Sequence, residues 1–155
     1  MRILALDYGE KRIGLAITDR QNSMAMPFGM IENNSSTAEN ILKLIKENDI
    51  GRIVIGRPVN LNGQPGYQSE FVDRFISNIL KTYELPISIV DERFTSKISS
   101  NLISGSHTST KDDRSKNQNK KMTKKKMEQV RKSGTADTIS AALILGDYLK
   151  SLENI

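Results

Sequence analysis

The 155 residues contain no cysteine and no tryptophan, one histidine (His107), and four residues each of proline, phenylalanine and tyrosine. Without cysteine there is no disulfide framework, no thiolate zinc site and no cysteine nucleophile, so a reducing compartment is expected. A single histidine excludes a multi-histidine metal site and leaves little room for a Ser-His-Asp arrangement. No long apolar run and no signal-peptide pattern occur, which predicts a cytoplasmic protein with no membrane partner. There is no Gly-Lys-Ser/Thr phosphate loop. The length fits one domain, residues 1–155, large enough to hold a proper core.

What the chain does have is unevenly placed charge. It carries 23 Lys and Arg against 18 Asp and Glu, a net +5. Ten of the basic residues and only three acids fall between Ser106 and Lys132, which leaves thirteen basic and fifteen acidic residues elsewhere. The basicity therefore belongs to one segment laid on a mildly acidic domain. Residues 106–120 have the composition of a flexible insertion, and such a block is either a solvated face or a polyanion-binding loop. It lacks aromatic residues, which argues against reading bases by stacking.

The apolar pattern predicts an α/β fold. Arg2 to Asp7 reads as a buried strand, Tyr8 to Lys11 as a turn in which Gly9 supplies conformational freedom, and Arg12 to Asp19 as its hairpin partner. A third strand is expected around Met24 to Ile31, with Pro27 implying an edge position or an interruption. Asn34-Ser35-Ser36 offers N-caps for a helix bearing Ile41, Leu42, Leu44 and Ile45. A buried strand at Arg52 to Gly56 precedes a loop, Pro58 to Gly66, and then a helix carrying Phe71, Val72, Phe75, Ile76, Ile79 and Leu80. Ile87 to Val90 is the last short strand. Thr95 or Ser96 caps a third helix, Lys120 to Lys132 has a thin apolar side, and Thr135 caps a final helix whose buried face is marked by Ile139, Ala142, Leu143, Gly146 and Leu149. Strands joined first by hairpins and then by crossover helices suit a mixed sheet.

Acidic residues sit at the ends of these elements. Asp7 closes the first strand, Asp91-Glu92 follow the last, and Asp137 lies in the first turn of the final helix. If the first and last strands are parallel neighbours, their carboxyl ends open on one edge, where open α/β sheets place their sites. Carboxylates gathered there repel one another unless a hard cation neutralises them, and all-oxygen ligands suit Mg²⁺ or Mn²⁺. Two such ions about 3.5–4 Å apart stabilise the attacking and leaving oxygens of a phosphodiester. Each acid also has a plainer reading, as a turn starter, a helix cap or a partner of the helix dipole.

The runs around the acids add to this. Asp7-Tyr-Gly-Glu-Lys-Arg-Ile-Gly-Leu-Ala-Ile-Thr-Asp19 resembles the opening hairpin of the YqgF/RuvX family, which has a ribonuclease H-like fold. Ile53 to Gly63 resembles that family's glycine-proline loop, Asp91-Glu-Arg-Phe-Thr-Ser96 its Asp-Glu-Arg motif, and Asp137 to Leu145 its final helix. The four runs keep their order across nearly the whole chain outside the basic segment. The resemblance implies a five-stranded mixed sheet flanked by helices and a nuclease associated with maturing the 5′ end of 16S ribosomal RNA precursor. Some members are assigned instead as Holliday junction resolvases. It further implies that Asp7, Glu92 and Asp137 are the catalytic, metal-holding carboxylates of a two-ion Mg²⁺ or Mn²⁺ site, and that hydrolysis leaves a 5′-phosphate and a 3′-hydroxyl.

Arg12 and Arg93 lie inside the matching motifs, where bidentate contact with phosphate and a simple ion pair are equally good readings. Gly9, Gly56, Asn60 and Gly63 are expected in loops near the site. The sequence departs from the family pattern at Arg57, which replaces an apolar residue and adds a candidate phosphate contact, at Ser140, and in the length of residues 106–120. Lys121, Lys124, Lys125 and Lys126 are the expected backbone-tracking cations. RNA is the expected partner, with structured DNA as the alternative, and the chain is expected to be a monomer or a weak homodimer because no dimer seam is visible. Two other readings compete. An actin-like or sugar-kinase relative would need a second such domain, and a non-catalytic assembly factor would keep the acids only as remnants.

Overall fold

The computed structural model describes residues 1–58, 66–91 and 135–153. Five strands, β1 (Arg2–Tyr8), β2 (Arg12–Thr18), β3 (Ala25–Glu32), β4 (Ile50–Arg57) and β5 (Ile87–Asp91), form one sheet in the order β3-β2-β1-β4-β5. The first two connections are hairpins, so β1–β2 and β2–β3 are antiparallel. Helix α1 (Thr37–Glu47) then carries the chain across to β4, and α2 (Tyr67–Asn78), with a 3₁₀ turn at Leu80–Tyr83, carries it on to β5. Both of these crossovers give parallel pairs, β1–β4 and β4–β5. The last described element is α3 (Thr135–Glu153).

Alternation along the central strands sorts side chains to two faces. Leu4 and Leu6 of β1, Ile13, Leu15 and Ile17 of β2, and Ile53 and Ile55 of β4 meet Ile41 of α1 and Val72, Phe75 and Ile76 of α2. The intervening residues Ile3, Ala5, Ala16 and Val54 face the other way and meet Ala141, Ile144 and Leu145 of α3. Small residues at positions 5 and 16 let that helix lie close to the sheet, and it touches all five strands. None of the described helices is long and apolar enough to cross a membrane.

Several expectations are refined by the packing. The first and last strands are parallel but not neighbours, because β4 lies between them; their carboxyl ends still open on the same edge. Pro27 does mark an edge strand and an interruption: Leu15 pairs with Gly29 and Ala16 with Pro27, so Phe28 bulges out of the ladder. Ser36 makes no side-chain cap to α1, and Asn34 Oδ1 accepts the Ser36 N–H instead at 2.9 Å. Leu42 is 37% exposed, off the stripe formed by Ile41, Leu44 and Ile45. The fully buried residues of α3 are Ala141, Ile144 and Leu145; of the expected face, Ala142 and Leu149 pack partly buried against the same cluster, while Leu143 and Gly146 lie off it. The helix expected after Thr95, the basic segment and the Lys120–Lys132 helix lie outside the described residues.

Candidate active site

Asp7 is the sixth residue of β1 and shares its face with Ile3 and Ala5, the face that α3 covers. Its side chain is partly buried at the carboxyl end of the strand. Across the hairpin its register partner is Gly14. On the other side, Gly56 follows Ile55, the partner of Leu6, so buried Gly56 stands beside Asp7 on the parallel strand. Asp7 is thus the one acid on its face of the central strand, flanked on both sides by residues with no side chain.

The space left by one of those glycines is filled by the second acid. An ideal Cβ built on Gly14 would overlap the Asp137 carbonyl oxygen and lie 3.1 Å from the Asp137 Cβ. The first turn of α3 therefore sits directly on Gly14. Cross-strand Cα atoms lie about 4.5–5.5 Å apart, which brings the Asp137 main chain within about 10 Å of the Asp7 Cα. Asp137 also lies on the sheet-facing stripe of α3, four residues before Ala141 and seven before Ile144. The positive end of the α3 dipole points to the same place and favours negative charge there.

The edge is braced from the outside. At the β1–β2 turn an ideal Cβ on Gly9 would come within 2.5 Å of the Arg12 carbonyl oxygen. Gly9 is needed for close approach and not for a left-handed φ, which among the described glycines only Gly29 adopts, at +147°. Asn33 Nδ2 donates to the Gly9 carbonyl at 2.9 Å, and the Asn33 N–H donates to Lys11 O at 2.9 Å, so the end of β3 holds the turn. At the end of β4, the buried Ser69 hydroxyl donates to the Pro58 carbonyl and accepts the Gly66 N–H at 3.1 Å, tying together the two residues that flank positions 59–65 in sequence.

The predicted site residues divide accordingly. The structure brings Asp7, Gly9, Gly56 and Asp137 to the carboxyl edge of the sheet. Arg12 begins β2 opposite Glu32 at that same end. Arg57 ends β4 but is directed toward α2, where its Nη2 contacts Asp73 Oδ2 at 2.6 Å; its buried Nε has no hydrogen-bond partner among the described residues. Glu92, Arg93, Asn60, Gly63, Lys121, Lys124, Lys125 and Lys126 lie outside the described residues, although Glu92 follows Asp91, the last residue of β5, by a single peptide bond. Among the described residues no three carboxylate, histidine or cysteine side chains cluster as a metal site. Gly14, Gly29 and Thr138, which shape the site, were not among the predicted residues. A glycine interrupting the alternation of β2 was the available signal, since such a glycine marks close backbone approach.

Comparison with known proteins places this geometry. The sequence profile of a family described as "RuvX: Holliday junction resolvase" matches residues 1–119. A protein of Pelagibacter ubique named "Putative pre-16S rRNA nuclease" is 39% identical over 106 residues, 67% of this chain and 70% of that protein. A protein of the same name from Thermoanaerobacter pseudethanolicus is 30% identical over 156 residues, covering 99% of each chain. Among solved structures, RuvC of Thermus thermophilus in complex with a Holliday junction substrate superposes with a TM-score of 0.52 at 10% identity, over 97% of this chain and 96% of that one. The Fowlpox virus resolvase with its junction DNA gives 0.52 at 14% identity, over 98% and 99%. At such identities the likeness is one of fold, and the fold is ribonuclease H-like.

Proposed function

This chain belongs to the RuvX family, and from that membership we propose that it is a divalent-metal-dependent nuclease whose substrate is precursor 16S ribosomal RNA. The observation that carries the proposal is the meeting of Asp7 and Asp137 through Gly14 at the carboxyl edge of the sheet. The names of the relatives from Pelagibacter and Thermoanaerobacter support the RNA substrate. Glu92, which follows the last residue of β5 in sequence, is assigned as the third carboxylate. The donor set is entirely carboxylate oxygen, which fits Mg²⁺ or Mn²⁺, and the three acids would hold one or two such ions. A divalent cation bound there neutralises the acids and stabilises the charge that develops on the phosphate oxygens.

The chain's own groups do the rest. The end of β1 and the first turn of α3 hold Asp7 and Asp137 relative to one another before substrate arrives, so little reorganisation of these two is left to the reaction. Arg12 and Arg93 are assigned to phosphate contact, and Arg57 remains in that set with one Nη committed to Asp73. Lys121, Lys124, Lys125 and Lys126, with residues 106–120, supply cations that gather the nucleic-acid backbone without reading its sequence. The whole is assigned as one nuclease domain acting in the cytoplasm, as a monomer or weak homodimer. A four-way DNA junction is the alternative substrate, favoured by the description of the family profile.

The test incubates the full chain with precursor ribosomal RNA fragments and with four-way junctions, in Mg²⁺, Mn²⁺ or EDTA, beside Asp7→Asn and Asp137→Asn. Cleavage of the RNA is expected to fall by about 100-fold or more in either variant and to stop in EDTA. Cleavage that survives in EDTA, or in both variants, refutes the metal-carboxylate mechanism. Cutting of junctions alone moves the substrate to DNA.

A further inference from the structure

We propose that Gly14, Gly29 and Thr138 form a two-point clamp that positions Asp137 at the end of β1, an inference that rests on the metal-carboxylate reading above. The first attachment is the packing of the Asp137 main chain on Gly14, where any Cβ would overlap the Asp137 carbonyl. The second lies one residue on, where Thr138 Oγ1 donates to the Gly29 carbonyl at 3.1 Å. The two anchor points sit on adjacent strands and consecutive rungs: Gly14 pairs with Met30, and Leu15 with Gly29.

The two glycines serve the clamp for different reasons. Gly14 provides room, and its φ is unremarkable. Gly29 has open space around a would-be Cβ but a φ of +147°, a region that L side chains rarely adopt. That backbone geometry comes with the bulge at Phe28, where the β2–β3 register shifts. The bulge is therefore more than an edge device, because the strand departs from regular pleating at the residue whose carbonyl receives Thr138.

A clamp is needed at this point in the chain. The first turn of a helix lacks preceding turns to hold it and frays readily. The buried anchors of α3 begin only at Ala141. A functional carboxylate has to stay within about 0.5 Å of its working position. Gly14 and Thr138 extend the attachment of α3 to its first turn, at Asp137 itself and at the residue that follows it. Thr138 and the glycines are positioning residues, which act through Asp137 and need not touch substrate.

The experiment uses the full chain with Thr138→Val, which removes the donor at nearly constant shape, Thr138→Ser, which keeps it, and Gly14→Ala. Two readouts are taken: calorimetric Mn²⁺ binding, and metal-free hydrogen exchange of the Ala141 amide, whose helical acceptor is the Asp137 carbonyl. Thr138→Val is expected to speed exchange at Ala141 and to weaken Mn²⁺ binding about ten-fold. Thr138→Ser is expected to restore both, and Gly14→Ala to exceed Thr138→Val in both. Wild-type exchange in Thr138→Val overturns the clamp, as does faster exchange with unchanged Mn²⁺ affinity. If the unmutated chain takes up no Mn²⁺, the metal-carboxylate reading fails on its own account, and exchange at Ala141 alone decides the clamp.

Discussion

Leu145→Ala and Leu143→Ala together test which face of α3 meets the sheet, and therefore where Asp137 is aimed. Leu145 is fully buried among Ile3, Ala5, Ala16, Val54, Ala141 and Ile144, while Leu143 is only partly buried. Truncating Leu145 removes three carbons, a transfer loss of about 2.4 kcal/mol at about 0.8 kcal/mol each. The neighbours are mostly small and lie on a rigid sheet, so collapse into the space is limited, and the cavity brings the total to about 3–4 kcal/mol. For a chain of this size that corresponds to a Tm lowered by about 6–16 °C. Leu143→Ala loses the same atoms from a site that water already reaches, so about 1 kcal/mol and about 2–4 °C are expected. Thermal and urea unfolding of the two variants, measured side by side, make the comparison. A cost for Leu143→Ala equal to or above that of Leu145→Ala would place the other stripe against the sheet. It would turn Asp137 away from Gly14 and remove the basis for the site.

Two further outcomes test smaller pieces of the same frame. Thr18 is fully buried, and its Oγ1 accepts the Ile3 N–H at 3.0 Å while donating to Asn22 Oδ1 at 2.6 Å; Thr18→Val strands that buried amide and should cost about 1–3 kcal/mol in urea unfolding, with an unchanged m-value and with Thr18→Ser close to wild type. The Asp19 carboxylate is held below its usual pKa of 3.8 by the Ser23 hydroxyl, opposed by desolvation and aided by the Met24 and Ser23 N–H groups. Because the folded pKa is the lower one, this contact stabilises the β2–β3 turn fully above the unfolded value and is lost as pH falls through the folded value. An NMR titration of the Ser23 amide should therefore show a midpoint below 3.8, and a midpoint above it would contradict the turn geometry.

How far the sequence was legible depended on how far apart the interacting residues lie. The hairpin and buried strands β1, β2 and β4 follow from alternation or continuous apolar runs, and Pro27 pointed to an edge position or an interruption in β3, which has both. The acids at the element ends could be read because each belongs to a local run of residues. The phase of α3 could not: six of the seven residues from Ile139 to Leu145 are apolar, so no periodic stripe distinguishes one face from another. What sets the phase is Ala5 and Ala16, small residues on β1 and β2 that admit a helix encoded more than a hundred residues later.

The same separation hid the glycines. Gly14 in isolation weakens a strand, and Gly29 looks like ordinary loosening two residues after a proline. Their purpose appears only with Asp137 and Thr138 in place, the latter 109 residues from its acceptor. The motif around Asp7 thus contains two kinds of information: an acid on one strand, and on the facing strand the vacancy into which the second acid's helix is seated. On the proposed reading, the chemistry of this chain is written locally, as carboxylates. The geometry that makes carboxylates useful is written at a distance, as the absence of side chains. A substitution that leaves every acid intact but adds one methyl group at position 14 should therefore disturb the site as surely as the loss of an acid.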